Sequence, residues 1–422
     1  MPTRISAGRS ALALPLAVAL GMTTACGSSD STPSPVPTDT VPLTEPSLET
    51  SLESASPTTT GAPSQAVSST SAPTTSTSTA PPTTVASTTT STPPLTDPEL
   101  LAGGRVLCAY VGQEVPGFVL DRLRQGLAAG VLLFGDNVED QQATLAATAA
   151  SQQAATASPA AAPALITIDQ EGGNVARLPG PPSAGAAELG TSDAASIREE
   201  GLATGTNLRA WGINVDLAPV ADVERPGGFI ERQARSFGRD PTAVGASVAA
   251  FIEGLATAGV GSALKHFPGL GAATENTDEE VAVVDLPVDV LRSVDLPPFS
   301  AGIDAGADMV MMSSAIYPAV DDQPALFSSV WIEDVLRSEL SFEGVVVSDA
   351  LDTPALEPAG TIGERAVRAA AAGVDLLIGS APDTCVDAQL ALADAIASGD
   401  LPLEQAQLAH RRVDDLRSDL AS

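Results

Sequence analysis

Residues 130–170, GVLLFGDNVEDQQATLAATAASQQAATASPAAAPALITIDQ, hold one complete unit of the pattern that decides the fold. A short apolar run, GVLLFG (130–135), ends in glycine and polar residues. An alanine-rich stretch of helical character follows, and a second apolar run, ALITIDQ (164–170), opens the next unit. Such near-continuous apolar runs suit strands buried on both faces of a parallel sheet. Outward from this unit the same alternation recurs. The other runs are RVLCAYVG (105–112), NVDLAPV (214–220), SALKHF (262–267), DMVMMSS (308–314), GVVVSD (344–349) and DLLIGS (375–380), which brings the set to eight. Residues 241–258 and 361–373 read as intervening helices. Eight strand–helix units in this length predict an α/β fold of the (β/α)8 TIM-barrel type. An open doubly wound sheet would need a glycine-rich phosphate fingerprint after its first strand, and YVGQEVPG is not one.

The chain has 422 residues of three kinds. Residues 1–26 read as an export signal, with Arg4 and Arg9, the apolar run ALALPLAVALGM and then TTAC. A cysteine after small residues resembles a bacterial lipobox, so Cys26 is the expected site of lipidation and membrane anchorage. Residues 27–98 are almost wholly Ser, Thr, Pro, Ala and Val, a composition that cannot bury enough apolar surface to fold and that suits an extended tether. Residues 99–422 form the expected barrel domain. They carry 18 basic residues against 46 acidic ones, a net −28, which argues against nucleic acid and anionic headgroups as partners. Beyond Cys26 there are two cysteines. An exported domain can pair Cys108 with Cys385, but the reading favours two buried free thiols. His410 lies in a helical pattern and reads as a surface residue.

In a barrel of this kind chemistry gathers at the C-terminal ends of the strands. The unusual polar residues lie there: Asp169, Asp222, Lys265 with His266, and Asp349. Lys265 is the only lysine of the chain and His266 one of two histidines. Each has a bland alternative: a helix cap for Asp349, a solvated loop end for Asp222, a buried ion pair for Lys265.

IDQEGGNVARL, ARSFGRDP, KHFPG and VVVSDAL, in that order, resemble the barrel domain of glycoside hydrolase family 3, and within it the bacterial β-N-acetylglucosaminidases that act on peptidoglycan fragments. The resemblance covers roughly residues 100–420. It implies Asp349 as the nucleophile of a retaining mechanism, and Asp169, Arg177, Arg235, Lys265 and His266 as contacts to the hydroxyls of the terminal sugar. It implies no metal or organic cofactor, a carbohydrate substrate, and β-linked N-acetylglucosamine as the group removed. Family β-glucosidases usually draw their acid/base from a further domain, and the short stretch after the eighth helix favours N-acetylglucosamine as the expected group, with a β-glucosidase of the same family as an alternative expectation. Two positions depart from the pattern. Asn174 replaces an arginine, and the loop after KHFPG lacks its usual histidines, with Asn276-Thr277-Asp278 where Asp-Ser-His is expected. Asp278 therefore stands as the candidate acid/base, with Glu275 and Glu279 beside it, because a carboxyl can do this work when its surroundings favour the protonated form. The other expectation is a sugar-binding lipoprotein that has lost turnover. The signal and tether place either at the outer face of the cell membrane, or secreted.

Overall fold

The computed structural model describes residues 95–420. The proposed signal, Cys26 and nearly all of the tether lie outside these residues. Eight parallel strands close into a barrel: β1 (Val106–Ala109), β2 (Gly130–Leu133), β3 (Leu165–Ile168), β4 (Val215–Asp216), β5 (Gly261–Phe267), β6 (Met309–Met312), β7 (Val345–Ala350) and β8 (Leu376–Ile378). Their order around the barrel follows the chain, and β8 pairs with β1 through Val106 and Leu377. Each strand lies within one of the eight apolar runs, β5 and β7 overrunning theirs by one residue. The (β/α)8 expectation is met.

Alternation along each strand divides the apolar residues into two layers. Leu107, Leu132, Leu165, Val215, Met309, Val345 and Leu376 fill the barrel interior. Their outward neighbours, such as Val106, Val131, Ile166 and Val346, pack beneath the helices. The helices at 241–258 and 361–373 form as Pro241–Thr257 and Ile362–Ala372, capped by Asp240 and by a Thr361–Glu364 capping box. Their starts are fixed by side-chain acceptors that satisfy free N–H groups of the first turn. Helices Ala194–Ala210 and Pro241–Thr257 approach closely through glycine. A Cβ on Gly254 would stand 2.4 Å from the Arg198 carbonyl oxygen.

The last helix, Leu403–Asp419, lays Val413 and Leu416 against the interior layer. Its Arg412 reaches Asp375 just ahead of β8, and Arg417 donates to the Pro163 and Ala162 carbonyls ahead of β3. The N-terminal end of the barrel is thus closed, and the C-terminal end is left for the site. His410 on this helix is not a surface residue. It is buried, with Nε2 3.1 Å from Asp414 Oδ2, because the helix packs its ring against the barrel floor, where a Cβ on Gly104 would collide with it.

Cys108 and Cys385 are not free thiols. They form a buried disulfide with a Cα–Cα distance of 5.1 Å. The two cysteines are 277 residues apart in sequence. Barrel closure brings them together, since β1 carries Cys108 and the helix after β8, Thr384–Ser398, carries Cys385. Among the described residues no helix is long and apolar enough to cross a membrane.

Candidate active site

A cavity of about 350 Å³ opens at the C-terminal ends of the strands. Its polar wall begins where β3 ends. Asp169 and Glu171 are two residues apart in an extended segment, so both face the same side. Gln170 between them turns the other way and ties the following loop, donating to the Leu178 and Pro181 carbonyls and accepting from the Arg177 and Leu178 N–H groups.

Lys265, 2% exposed, projects from β5 into the pair. Its Nζ lies 2.6 Å from Asp169 Oδ1 and 2.7 Å from Glu171 Oε1. Arg235 grips Glu171 with two parallel bonds, Nε to Oε2 at 2.8 Å and Nη2 to Oε1 at 2.7 Å. Burial works against the charge on Glu171, but Lys265 and Arg235 outweigh it and hold this carboxyl well below the usual range. Burial likewise opposes the charge on Lys265, and Asp169 and Glu171 keep its proton more tightly held than usual. The network is one of fixed charges rather than exchangeable protons.

Lys265 and His266 are consecutive, and consecutive residues of a regular strand face opposite ways. The register of β5 against β6 shifts between Leu264 and Phe267, and both side chains line the cavity. Irregularities of this kind re-aim side chains beside active sites. His266 Nδ1 lies 2.8 Å from Asp222 Oδ2. Asp222 is fully buried rather than a solvated loop end.

Across the cavity, Asp349 is the penultimate residue of β7. Its Oδ1 accepts from the Ala350 N–H at 2.8 Å, so it is not spent as a helix cap. Burial raises its proton affinity, Asp278 reinforces the rise, and the charge of Lys265 opposes it. Asp278 sits in a turn in which the Glu279 and Glu280 N–H groups close onto the Asn276 carbonyl. Of the carboxylates at 275–280, Asp278 alone lines the cavity, while Glu275, Glu279 and Glu280 line a cleft on the loop's outer side. Asp352 also lines the cavity, but it accepts from Ser380 N, Ala381 N and Thr384 Oγ1 at 2.7–3.0 Å and is fully engaged.

The structure therefore brings Asp169, Arg177, Arg235, Lys265, His266, Asp278 and Asp349 to one cavity. Asn174 stays outside it, exposed, and donates to the Gln233 carbonyl. Two buried carboxyls at or beside the site escaped the sequence reading. Glu171 is the hub of the ion network, and its signal was its place two residues after Asp169. Asp216 on β4 is fully buried, accepts from Gln170 N at 2.9 Å, and has its carboxyl pushed up to about 7 by burial. Phe134, Leu132, Met311 and Ile378 give the cavity an apolar side. Cationic and neutral donors on one wall, acceptors among them, an apolar patch and the carboxyls of Asp349 and Asp278 make a site suited to a polyhydroxylated ligand. Among the described residues no group of three or more His, Cys, Asp or Glu is arranged to hold a metal ion.

Comparison with known proteins points the same way. Residues 119–416 match the profile of the glycosyl hydrolase family 3 N-terminal domain. The chain is 35% identical over 329 residues to a protein of Arthroderma benhamiae described as an uncharacterized secreted glycosyl hydrolase, covering 76% of this chain and 93% of that one. It is 36% identical over 287 residues to a beta-hexosaminidase of Stenotrophomonas maltophilia, covering 66% of this chain and 84% of that one. A glycoside hydrolase family 3 beta-N-acetylglucosaminidase from Paenibacillus sp. str. FPU-7 superposes with a TM-score of 0.73 at 32% identity, over 76% of this chain and 62% of the Paenibacillus chain. The matched profile spans most of the barrel, and the chain belongs to glycosyl hydrolase family 3 as a glycosidase built on that family's N-terminal domain.

Proposed function

We propose that the chain is a retaining β-N-acetylhexosaminidase that removes terminal β-linked N-acetylglucosamine through a glycosyl–Asp349 intermediate. Asp278 acts first as acid and then as base. Asp169, Arg177, Arg235, Lys265 and His266 hold the hydroxyls of the terminal sugar. The observation that carries the reading is that Asp349 and Asp278 line one cavity beside the Lys265–Asp169–Glu171–Arg235 network, close enough for one to raise the proton affinity of the other. A retaining glycosidase needs two carboxyls at short separation, one to attack the anomeric carbon and one to protonate the leaving oxygen. In the resting cavity burial favours a proton on Asp349. On this reading Lys265, whose charge opposes that rise, helps hold the attacking form of Asp349 ionised, and Asp278 carries the proton given to the leaving oxygen. The beta-hexosaminidase and beta-N-acetylglucosaminidase descriptions of the relatives support an N-acetylated sugar over a glucoside.

A second reading keeps the sugar site and drops turnover. Asp278 is exposed on its turn, and no loop histidine stands beside it. Hydrolysis of 4-nitrophenyl β-N-acetylglucosaminide separates the two. The glycosidase reading expects release by the wild type and its loss in Asp349→Asn. Equal inertness of both, with retained binding of wall-derived disaccharide fragments, favours the binding protein.

We further infer a lipid anchor at Cys26 and a Ser/Thr/Pro-rich tether that keep the barrel at the outer face of the cell membrane, within reach of muropeptide or chitooligosaccharide substrates. The secreted relative and the buried disulfide, a bond of oxidising compartments, support export. Metabolic labelling with an alkynyl fatty acid, compared between wild type and Cys26→Ala, tests the anchor.

A further inference from the structure

Asp222 follows β4, is fully buried, and plays no part in the chemistry assigned so far. The contacts of its carboxylate go to the end of β5 and the segment that leaves it. Oδ1 accepts from the His266 N–H at 3.1 Å and from the Leu270 N–H at 2.6 Å, and Oδ2 lies 2.8 Å from His266 Nδ1. A carboxylate whose other oxygen already accepts two backbone N–H groups has no hydrogen to give, so the hydrogen between Oδ2 and Nδ1 belongs to the ring. The opposite edge of the ring meets a different neighbour. Nε2 stands 3.5 Å from Arg235 Nη2, a nitrogen that only donates. Two N–H groups facing one another repel, so Nε2 carries the lone pair.

We propose that Asp222 is a positioning residue of the sugar cup, locking His266 in its Nδ1–H tautomer so that the imidazole offers a substrate hydroxyl an acceptor and not a donor. The inference rests on the reading of the cavity as a sugar site. The polarity has a consequence for recognition. Lys265, Arg235 and Arg177 can only donate. A sugar hydroxyl placed between Arg235 and His266 accepts from the guanidinium and passes its own hydrogen to Nε2. With a second donor in place of that acceptor, the hydroxyl hydrogen would be buried unpaired, a loss of the kind that gives polar sites their selectivity. The same carboxylate holds Leu270 N–H, so one group fixes both the ring and the start of the segment that leads to Asp278.

The chain's two histidines make the test direct. In ¹⁵N-histidine-labelled protein, two rings give signals, and His410→Gln, far from the cavity on the barrel floor, identifies the signal of His266. The expected spectrum has His266 protonated at Nδ1 and bare at Nε2. In Asp222→Asn the new amide donates to Nδ1, and the ring reverses to Nε2–H. KM for 4-nitrophenyl β-N-acetylglucosaminide then rises about tenfold, the worth of one hydrogen bond. A wild-type His266 that is Nε2–H, doubly protonated or an even mixture of tautomers overturns the proposal. So does an Asp222→Asn protein whose KM and His266 tautomer both match the wild type. Should that variant not fold, the wild-type spectrum still decides. The spectrum requires no turnover, so a chain that shows the tautomer and hydrolyses nothing counts against the glycosidase reading and not against this one.

Discussion

On the proposed reading Asp349 and Asp278 divide the work of a glycosidase unequally, and single substitutions separate their roles. Asp349→Asn removes the proposed nucleophile and is expected to lower kcat on any β-N-acetylglucosaminide by about 10³-fold or more, measured as nitrophenol release. Asp278→Ala removes proton donation, which is worth about 10²–10⁴-fold where the leaving group needs it. Its activity on chitobiose is expected to fall in that range, while activity on aryl glycosides with acidic leaving groups falls far less. Equal losses on both substrates count against Asp278 as the acid/base. Asp216 yields a prediction about stability. Its carboxyl is raised from 3.8 to about 7 by burial. The raised value favours the folded state fully below pH 3.8, and that contribution is lost as pH rises towards 7. Asp216→Asn keeps an acceptor for Gln170 N and carries no charge. It is expected to raise Tm relative to the wild type at pH 8 and to leave the difference small or reversed at pH 4, as read by calorimetry.

At the scale of elements, the strand-end segments do the positioning. The Asp169–Glu171 segment and the irregular end of β5 meet in an ion network whose members are mutually dependent. Glu171→Gln takes from Arg235 its ion-pair partner and leaves Lys265 paired with Asp169 alone. Breaking one side of such a buried network is expected to cost roughly 3 kcal/mol or more, measured by chemical denaturation. The eight strands were readable from sequence because each is apolar on both faces and bounded by polar or glycine residues. The two helices were readable from their caps and periodicity. The cavity residues were readable because Asp169, Lys265, His266 and Asp349 interrupt apolar runs at the same end. Glu171 was hidden in plain view, since a second acid beside Asp169 looks like a solvated loop until the extended backbone turns both inward. His410 misled because the helix Leu403–Asp419 has the polar composition of a surface helix, whereas its place across the barrel floor buries residues that composition leaves outside.

At the scale of the whole molecule, closure is what sequence conceals. β1 meets β8 only when all eight units are in place, so the pairing of Cys108 with Cys385 follows from topology and not from spacing. The bond links the first strand to the last unit across 277 residues. Replacing both cysteines by serine is expected to cost about 2–5 kcal/mol of stability, and reductant is expected to act only once the barrel unfolds, because both sulfurs are buried. The central claim is that a carboxylate at the end of β7 becomes covalently bound to sugar. The most direct measurement is mass spectrometry of the protein after incubation with a 5-fluoro N-acetylglucosaminyl fluoride, followed by peptide mapping. The account predicts the added mass of one glycosyl unit on the peptide that contains Asp349, and no added mass in Asp349→Asn. A wild type that turns over substrate yet carries the label on another residue, or never carries one, contradicts it.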